Sequence, residues 1–171
     1  GKVLLTLFFQ NTNLLLAFLR DHNTARSVLD VFNDLYAMFG RETYCRLFPV
    51  ILTDRGSEFS NPVPIEQDEN GELRSLVFYC NPSAPYQKGG IEVAHELVRR
   101  VLPKGKSFDD LQQEDIDLML SHINSYKRGK LNSRSAYQLF SLIYGDDILP
   151  ELNIHEIEPN DIVLSPKLLK K

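Results

Sequence analysis

The residues from Phe48 to Thr53 form an uninterrupted apolar run that stops abruptly at Asp54-Arg55-Gly56. A run this short, without polar alternation and bounded by turn residues, predicts a strand buried on both faces. Such a strand needs other elements packed above and below its sheet, which points to an α/β architecture. The polar residue that ends the run is an acid, so the same feature that fixes the fold class also delivers a carboxylate to the sheet's edge.

The flanking segments agree. Val3 to Phe9 and Leu14 to Leu19 are apolar stretches separated by Gln10-Asn11-Thr12-Asn13, a hairpin signature. Asn23-Thr24 offers an N-cap, and Ala25, Val28, Leu29, Phe32, Leu35, Met38 and Phe39 follow at helical spacing until Gly40, the expected stop. Residues 60–75 turn polar and read as a loop or a short helix plus turn. Leu76 to Cys80 is a further strand, and Asn81 to Gly90, with two Pro and two Gly, is a loop. Helices are predicted from about Gly90 to Leu102, stopped by Pro103, then over Leu111 to Tyr126, closed by Gly129, and over Ala136 to Tyr144, ended by Gly145. Ser107 is a cap for the turn between the first two. Residues 154–169 read as a strand and tail. The order of hairpin, helix, two strands and several helices implies one α/β domain with a mixed sheet.

Composition matters mainly for what it excludes. A chain of 171 residues with 43% hydrophobic and 25% charged residues is ordinary for a globular domain. Its longest apolar stretches fall far below the roughly 18 residues of a membrane span, and no secretory leader opens it, so a cytoplasmic location is expected. Gly1-Lys2-Val3 lacks an initiating Met, which suggests a fragment. Cys45 and Cys80 stand alone, without CxxC or paired His spacing, and read as reduced thiols. The net charge of −4 speaks only weakly against a nucleic-acid partner, because local charge matters more than the total.

Asp54 sits where ligand sites gather in open α/β sheets, beyond the carboxyl end of a strand. On position alone the stronger reading is a turn Asp bonded to its own backbone beside Gly56. Glu92 enters the first turn of a helix after Gly89-Gly90, where the helix dipole favours a carboxylate whatever its function. Lys88, Glu92, Glu96 and Arg99 or Arg100 fall near one helical face, with Ile91, His95, Val98 and Leu102 on the adjoining one. That places His95 at the edge of the core rather than as a general base. Between 88 and 134 lie 9 of the 19 Lys and Arg residues, accompanied by seven acids. Arg99-Arg100-x-x-Pro-Lys104-Gly-Lys106 and Lys127-Arg128-x-Lys130 are compact enough to track a phosphate backbone. No nucleophile elbow, phosphate-binding glycine loop, zinc-helix or dinucleotide signature is present. The residues permit metal-assisted chemistry on a phosphate ester, with oxygen ligands that favour Mg2+ or Mn2+.

Thr53-Asp54-x-Gly-Ser57-Glu58-Phe59, Tyr79-Cys80-Asn81-Pro82 and Lys88-Gly89-x-x-Glu92-x-x-His95 resemble the catalytic core of bacterial insertion-sequence transposases. The likeness is to the family numbered thirty, which shares a ribonuclease-H-like core with retroviral integrases. Arg99-Arg100-x-Leu-Pro103-Lys104-Gly105, His122-Ile123-Asn124-Ser125-Tyr126 and Ile162 to Leu169 match the same family's later motifs. The resemblance implies an Asp-Asp-Glu triad holding two divalent ions, Mg2+ or Mn2+. It also implies cleavage of element ends and transfer of a 3′-hydroxyl to target DNA, within a homo-oligomer that synapses the ends in the nucleoid.

By that match Asp54 is the second acid and Glu92 the third, and Lys88 is a DNA-phosphate contact, with Arg99, Arg100, Lys104 and Lys106 as further DNA-binding residues. Residues 1–20 contain no Asp or Glu, so the first strand and its Asp are expected outside the chain. The expectation is therefore an integrase-like catalytic core over 1–145, lacking its first strand, with a C-terminal extension over 146–171. Arg55 and Val93 depart from the Asn that the family usually carries after its second and third acids. The chain as given would be catalytically incomplete. A non-catalytic DNA-binding or assembly remnant and a ribonuclease-H-like nuclease are the alternatives.

Overall fold

The computed structural model of the chain describes residues 1–80 and 90–169. By compactness it divides into one unit made of Gly1–Leu19 and Lys88–Lys171, and a second made of Arg20–Gln87. Along the sequence the second unit is inserted within the first. The described residues form six helices and three separate two-stranded ladders, a mixed α/β fold. No helix among them is long and apolar enough to cross a membrane.

In the first unit, β1 (Val3–Phe9) and β2 (Leu14–Arg20) are paired neighbours joined by a tight turn, as the sequence predicts. Thr12 and Asn13 donate their backbone N–H groups to Phe9 O, and Asn13 takes φ 63° to close the turn. Leu14, Leu15, Leu16 and Ala17 are buried on both faces of β2. Each Leu sequestered in this way contributes about 1.5–3 kcal/mol.

Helix α4 (Gln113–Ser125) backs β2 in an unusual way. Asn124 Oδ1 accepts from Leu15 N at 2.9 Å while its Nδ2 donates to Leu15 O at 2.8 Å. Gln113 Oε1 accepts from Leu19 N and its Nε2 donates to Ala17 O. Two side-chain amides thus take the place of a neighbouring strand and satisfy the backbone groups Leu15 N, Leu15 O, Ala17 O and Leu19 N of the buried β2. The same helix also fixes the C-terminal segment: Ser121 Oγ, Ser125 Oγ and His122 Nδ1 accept from the backbone N–H groups of His155, Ile157 and Val163. The strand predicted in 154–169 is absent. That segment runs as irregular chain with single 3-10 turns, its backbone held by helix side chains rather than by a ladder.

Helix α3 (Ile91–Val101) buries Ala94, Leu97, Val98 and Val101, an i, i+3, i+4, i+7 face rotated from the Ile91, His95, Val98 and Leu102 face read from its sequence. Helix α5 (Ala136–Tyr144) starts at a Ser135 capping box and ends at Gly145, as predicted, and stacks Phe140 against Phe9 at 5.2 Å. A short ladder of β5 (Lys127–Arg128) and β6 (Arg134–Ser135), antiparallel, lies between α4 and α5. Two-residue strands leave no periodicity in a sequence, and this one was not expected. Because it begins at Lys127, α4 ends at Ser125 rather than near Gly129.

In the second unit, α1 spans Ala25–Leu47 from a reciprocal cap between Thr24 and Ser27. Gly40, at φ 77° and ψ 166°, interrupts the helix as expected, but a further helical stretch follows it to Leu47. Tyr44 and Leu47 on that stretch are buried, and this packing renews the helix beyond the break. Helix α2 (Val63–Glu66) is the short helix foreseen in the polar region. Strands β3 (Val50–Thr53) and β4 (Leu76–Tyr79) pair in parallel, Val50 opposite Leu76 and Thr53 opposite Tyr79.

The expectation of a strand buried on both faces fails here. Val50, Leu52, Leu76 and Phe78, which share one face, are 40–56% exposed. An apolar pattern reports what a face could bury, and a ladder of two strands has too little width to cover both of its faces. Among the described residues the ladders are not hydrogen-bonded into the single mixed sheet that was expected.

Candidate functional site

Asp54 follows β3 directly, and its exposed carboxylate accepts from Gly56 N through Oδ1 at 2.9 Å. The turn reading of this residue is therefore realised, and it leaves Oδ2 without a hydrogen bond among the described residues. A Cβ on Gly56 would come within 3.0 Å of Asp54 Oδ1 and of both carboxylate oxygens of Glu58. The glycine thus lets two carboxylates close in on one short turn. Sequence reasoning passed over Glu58 as a site residue, although an acid four positions beyond Asp54 across a glycine turn was the available signal. Arg55 places its guanidinium 5.5 Å from the centre of the Tyr79 ring, at the end of β4, a cation–π contact that ties the two strand ends together.

Glu92 lies in the first turn of α3, exposed, with no hydrogen bond or ion pair among the described residues. What fixes the start of α3 is Gly90, at φ 87° and ψ −26°. A Cβ there would meet Asn13 Oδ1 at 2.6 Å and Phe8 Cζ at 3.0 Å. The left-handed backbone and the close approach each demand glycine. The turn of the β1–β2 hairpin therefore sits directly against the pivot from which Glu92 projects.

Of the cationic residues, Lys88 lies outside the described residues, as does the rest of segment 81–89. Arg99, Arg100, Lys104 and Lys106 are exposed at the C-terminal end of α3 and the turn after Pro103, where Gly105 reverses the chain at φ 86°. Arg100 pairs with Glu96 at 3.2 Å across one helical turn, a surface pair worth about 0.3–0.5 kcal/mol that leaves the guanidinium available. His95, expected at the edge of the core, is exposed instead. The buried stripe of α3 runs through Ala94, Leu97, Val98 and Val101 and turns His95 outward. Both cysteines are free thiols, as expected.

Asp54 belongs to the second unit and Glu92 to the first. Among the described residues no three His, Cys, Asp or Glu side chains converge as a metal-binding group. What the two acids offer is hard, solvent-facing oxygen, the donor type that suits Mg2+ or Mn2+.

No protein-family model matches the chain. Over 120 residues it is 30% identical to a protein named as an integrase, ORF3, of Spiroplasma virus SpV1-R8A2 B, covering 70% of this chain and 35% of that one. Over 76 residues it is 33% identical to the transposase for insertion sequence element IS1086 of Cupriavidus metallidurans, covering 43% and 22%. The chain is a relative of insertion-sequence transposases. The transposase InsI for element IS30A of Escherichia coli K12 is 27% identical over 63 residues, 37% of this chain and 16% of that one, in keeping with the family read from the motifs. The matched segments span about a third or less of these transposase and integrase relatives.

Proposed function

We propose that the chain is part of the catalytic core of a DNA transposase, with Asp54 and Glu92 as two of the three acids that hold its divalent metal ions. The observation that carries this reading is the way both carboxylates are presented. Each is exposed at the end of a regular element beside a glycine: Gly90, before Glu92, takes a left-handed φ and leaves no room for a Cβ, and Gly56, after Asp54, packs closely under the Asp54 and Glu58 carboxylates. Among the described residues Glu92 ends in no ion pair or cap, and Asp54 keeps one carboxylate oxygen outside its turn bond to Gly56 N.

The third acid belongs, on this reading, to a strand outside residues 1–171. The backbone of β3 supports it. Pro49 and Thr53 direct their carbonyls at β4, accepting from Leu76 and Cys80, so Val50 and Leu52 turn their backbone groups to the opposite edge. That edge has no partner strand among the described residues, and a strand added there would extend the parallel ladder toward a ribonuclease-H-like sheet. Two Mg2+ or Mn2+ ions held by such a triad would activate a water or hydroxyl and stabilise the leaving oxygen of a phosphodiester. The chain's own contribution is to hold hard oxygens in place and to supply charge along the DNA. Arg99, Arg100, Lys104 and Lys106, with Lys88, would bind phosphates of element ends and target DNA, and that binding weakens as salt rises. The working form would be a homo-oligomer on nucleoid DNA.

The test is magnesium-dependent joining of element ends to target DNA by the full-length protein. Asp54→Asn and Glu92→Gln each abolish joining while leaving DNA binding intact. Unchanged joining by either variant removes the assignment. Hydrolysis without joining by the unaltered protein would make it a nuclease, and DNA binding without either reaction a non-catalytic remnant.

A further inference from the structure

Three arginines in the described chain are buried, and they are treated very differently. Arg74, 4% exposed, donates to Ile65 O, Pro64 O and Asn33 Oδ1 and lies over the rings of Tyr36 and Tyr44. Arg20 reaches Ser27 Oγ and Asn23 Oδ1. Arg128, 6% exposed, has no acceptor among the described residues for Nε, Nη1 or Nη2, all of which are shielded from solvent. A guanidinium stays protonated at any pH a protein survives, so it cannot escape this position by becoming neutral. A buried charge with none of its donors satisfied is among the costliest arrangements a fold can hold.

The surroundings show which chemistry is missing. Residues 118–145 include Lys127, Arg128, Lys130 and Arg134 but not one Asp or Glu. Burial presses against the charged form of Arg128, and Tyr126, not a carboxylate, is the group that offsets it. Lys127, Lys130 and Arg134 are exposed on the same β5–β6 hairpin. The hairpin is held by only two residue pairs, Lys127 with Ser135 and Arg128 with Arg134, and Asn132 and Ser133 both take positive φ in its turn. A ladder this short can shift to admit a ligand.

We infer that Arg128 anchors an oxyanion site of the phosphate class in the β5–β6 hairpin, with Lys127, Lys130 and Arg134 as its cationic rim. A phosphate group offers several acceptor oxygens to the planar guanidinium fork and carries the negative charge that this stretch of sequence lacks. The ligand could be free phosphate or a phosphodiester of nucleic acid, which share that chemistry. Its residues are other than the acids and DNA-binding residues of the proposed function, although Lys127-Arg128-x-Lys130 is a compact basic run in the sequence, and the site stands whether or not those assignments do.

The experiment is a melting series on the 171-residue chain and its Arg128→Met and Arg128→Lys variants, in inorganic phosphate and in chloride of matched ionic strength. Phosphate raises the wild-type melting temperature saturably, by about 5 °C or more. Arg128→Met melts no lower than wild type in chloride and gains nothing from phosphate, and Arg128→Lys gains less than wild type. A duplex oligonucleotide added to phosphate-saturated protein then separates the sources. Binding weakened well beyond the chloride control identifies a phosphodiester site, and unchanged binding a site for free phosphate. Equal stabilisation of wild type and Arg128→Met by phosphate overturns the proposal. So does phosphorus NMR of the wild-type chain that shows no saturable phosphate binding, a readout that holds even if the Met variant fails to fold.

Discussion

His122 shows how a single side chain can couple folding to pH. Its Nδ1 accepts from Val163 N at 3.0 Å, so that nitrogen carries no proton in the folded chain. Burial holds its pKa below the ordinary 6.5, with Asp161 offsetting part of the effect. Because the folded pKa is the lower of the two, the unfolded chain takes up the proton first as pH falls. Stability is therefore level above about pH 6.5, declines as pH drops below it, and levels again once pH is under the folded value. His122→Asn, whose Oδ1 can take the Val163 N–H, flattens this decline. Melting temperatures between pH 7.5 and 5 check it, and an identical slope in the variant would show that the imidazole is not responsible. Asp117 acts with the opposite sign, since burial raises its pKa and the folded chain then gains stability as its carboxyl takes up a proton.

At the scale of elements, α4 is the organiser of the first unit. One of its faces supplies Ile116, Met119, Leu120 and Ile123 to the core, while Gln113 and Asn124 stand in for a strand along β2. Removing Asn124 strands the backbone N–H and C=O of Leu15 in a dry interior. Asn124→Ala should cost about 2–4 kcal/mol of unfolding free energy in a denaturant titration, while Gln113→Ala, at the more open end of β2, should cost about 1 kcal/mol. Asn124→Asp should be at least as damaging as Ala, because it keeps the acceptor but loses the donor to Leu15 O and adds a buried charge. The sequence marked 122–126 as a motif without giving it a role. In the fold, His122, Asn124 and Ser125 each hold backbone, which gives those residues a physical reason to be where they are.

For the molecule as a whole, the two acids are delivered by different compact units, Asp54 by the one formed from Arg20–Gln87 and Glu92 by the discontinuous one. On the proposed reading, catalysis needs both acids together with a third from outside residues 1–171. The chain alone should then bind Mg2+ or Mn2+ only weakly and turn over no DNA. Calorimetric titration with Mn2+ and a cleavage assay on duplex DNA check this, and cleavage that disappears in Asp54→Asn would show that residues 1–171 suffice.

The sequence alone determined the alternation of elements and the frames of the acids. Apolar period, capping residues and glycine breaks are local properties, which is why the hairpin, α3, α5 and the β3–β4 strands were all legible. It also disclosed the relationship to transposases, carried by short motifs around Asp54 and Glu92. Only the tertiary structure decided which apolar faces are covered, leaving Val50, Leu52, Leu76 and Phe78 exposed where the pattern alone predicted burial. It alone showed that amides of α4 bond the edge of β2, that Asn13 abuts Gly90, and that Arg128 is buried without an acceptor among the described residues. These are contacts between residues far apart in the chain, or consequences of burial. Neither is encoded in local spacing, because each depends on what the rest of the chain brings alongside.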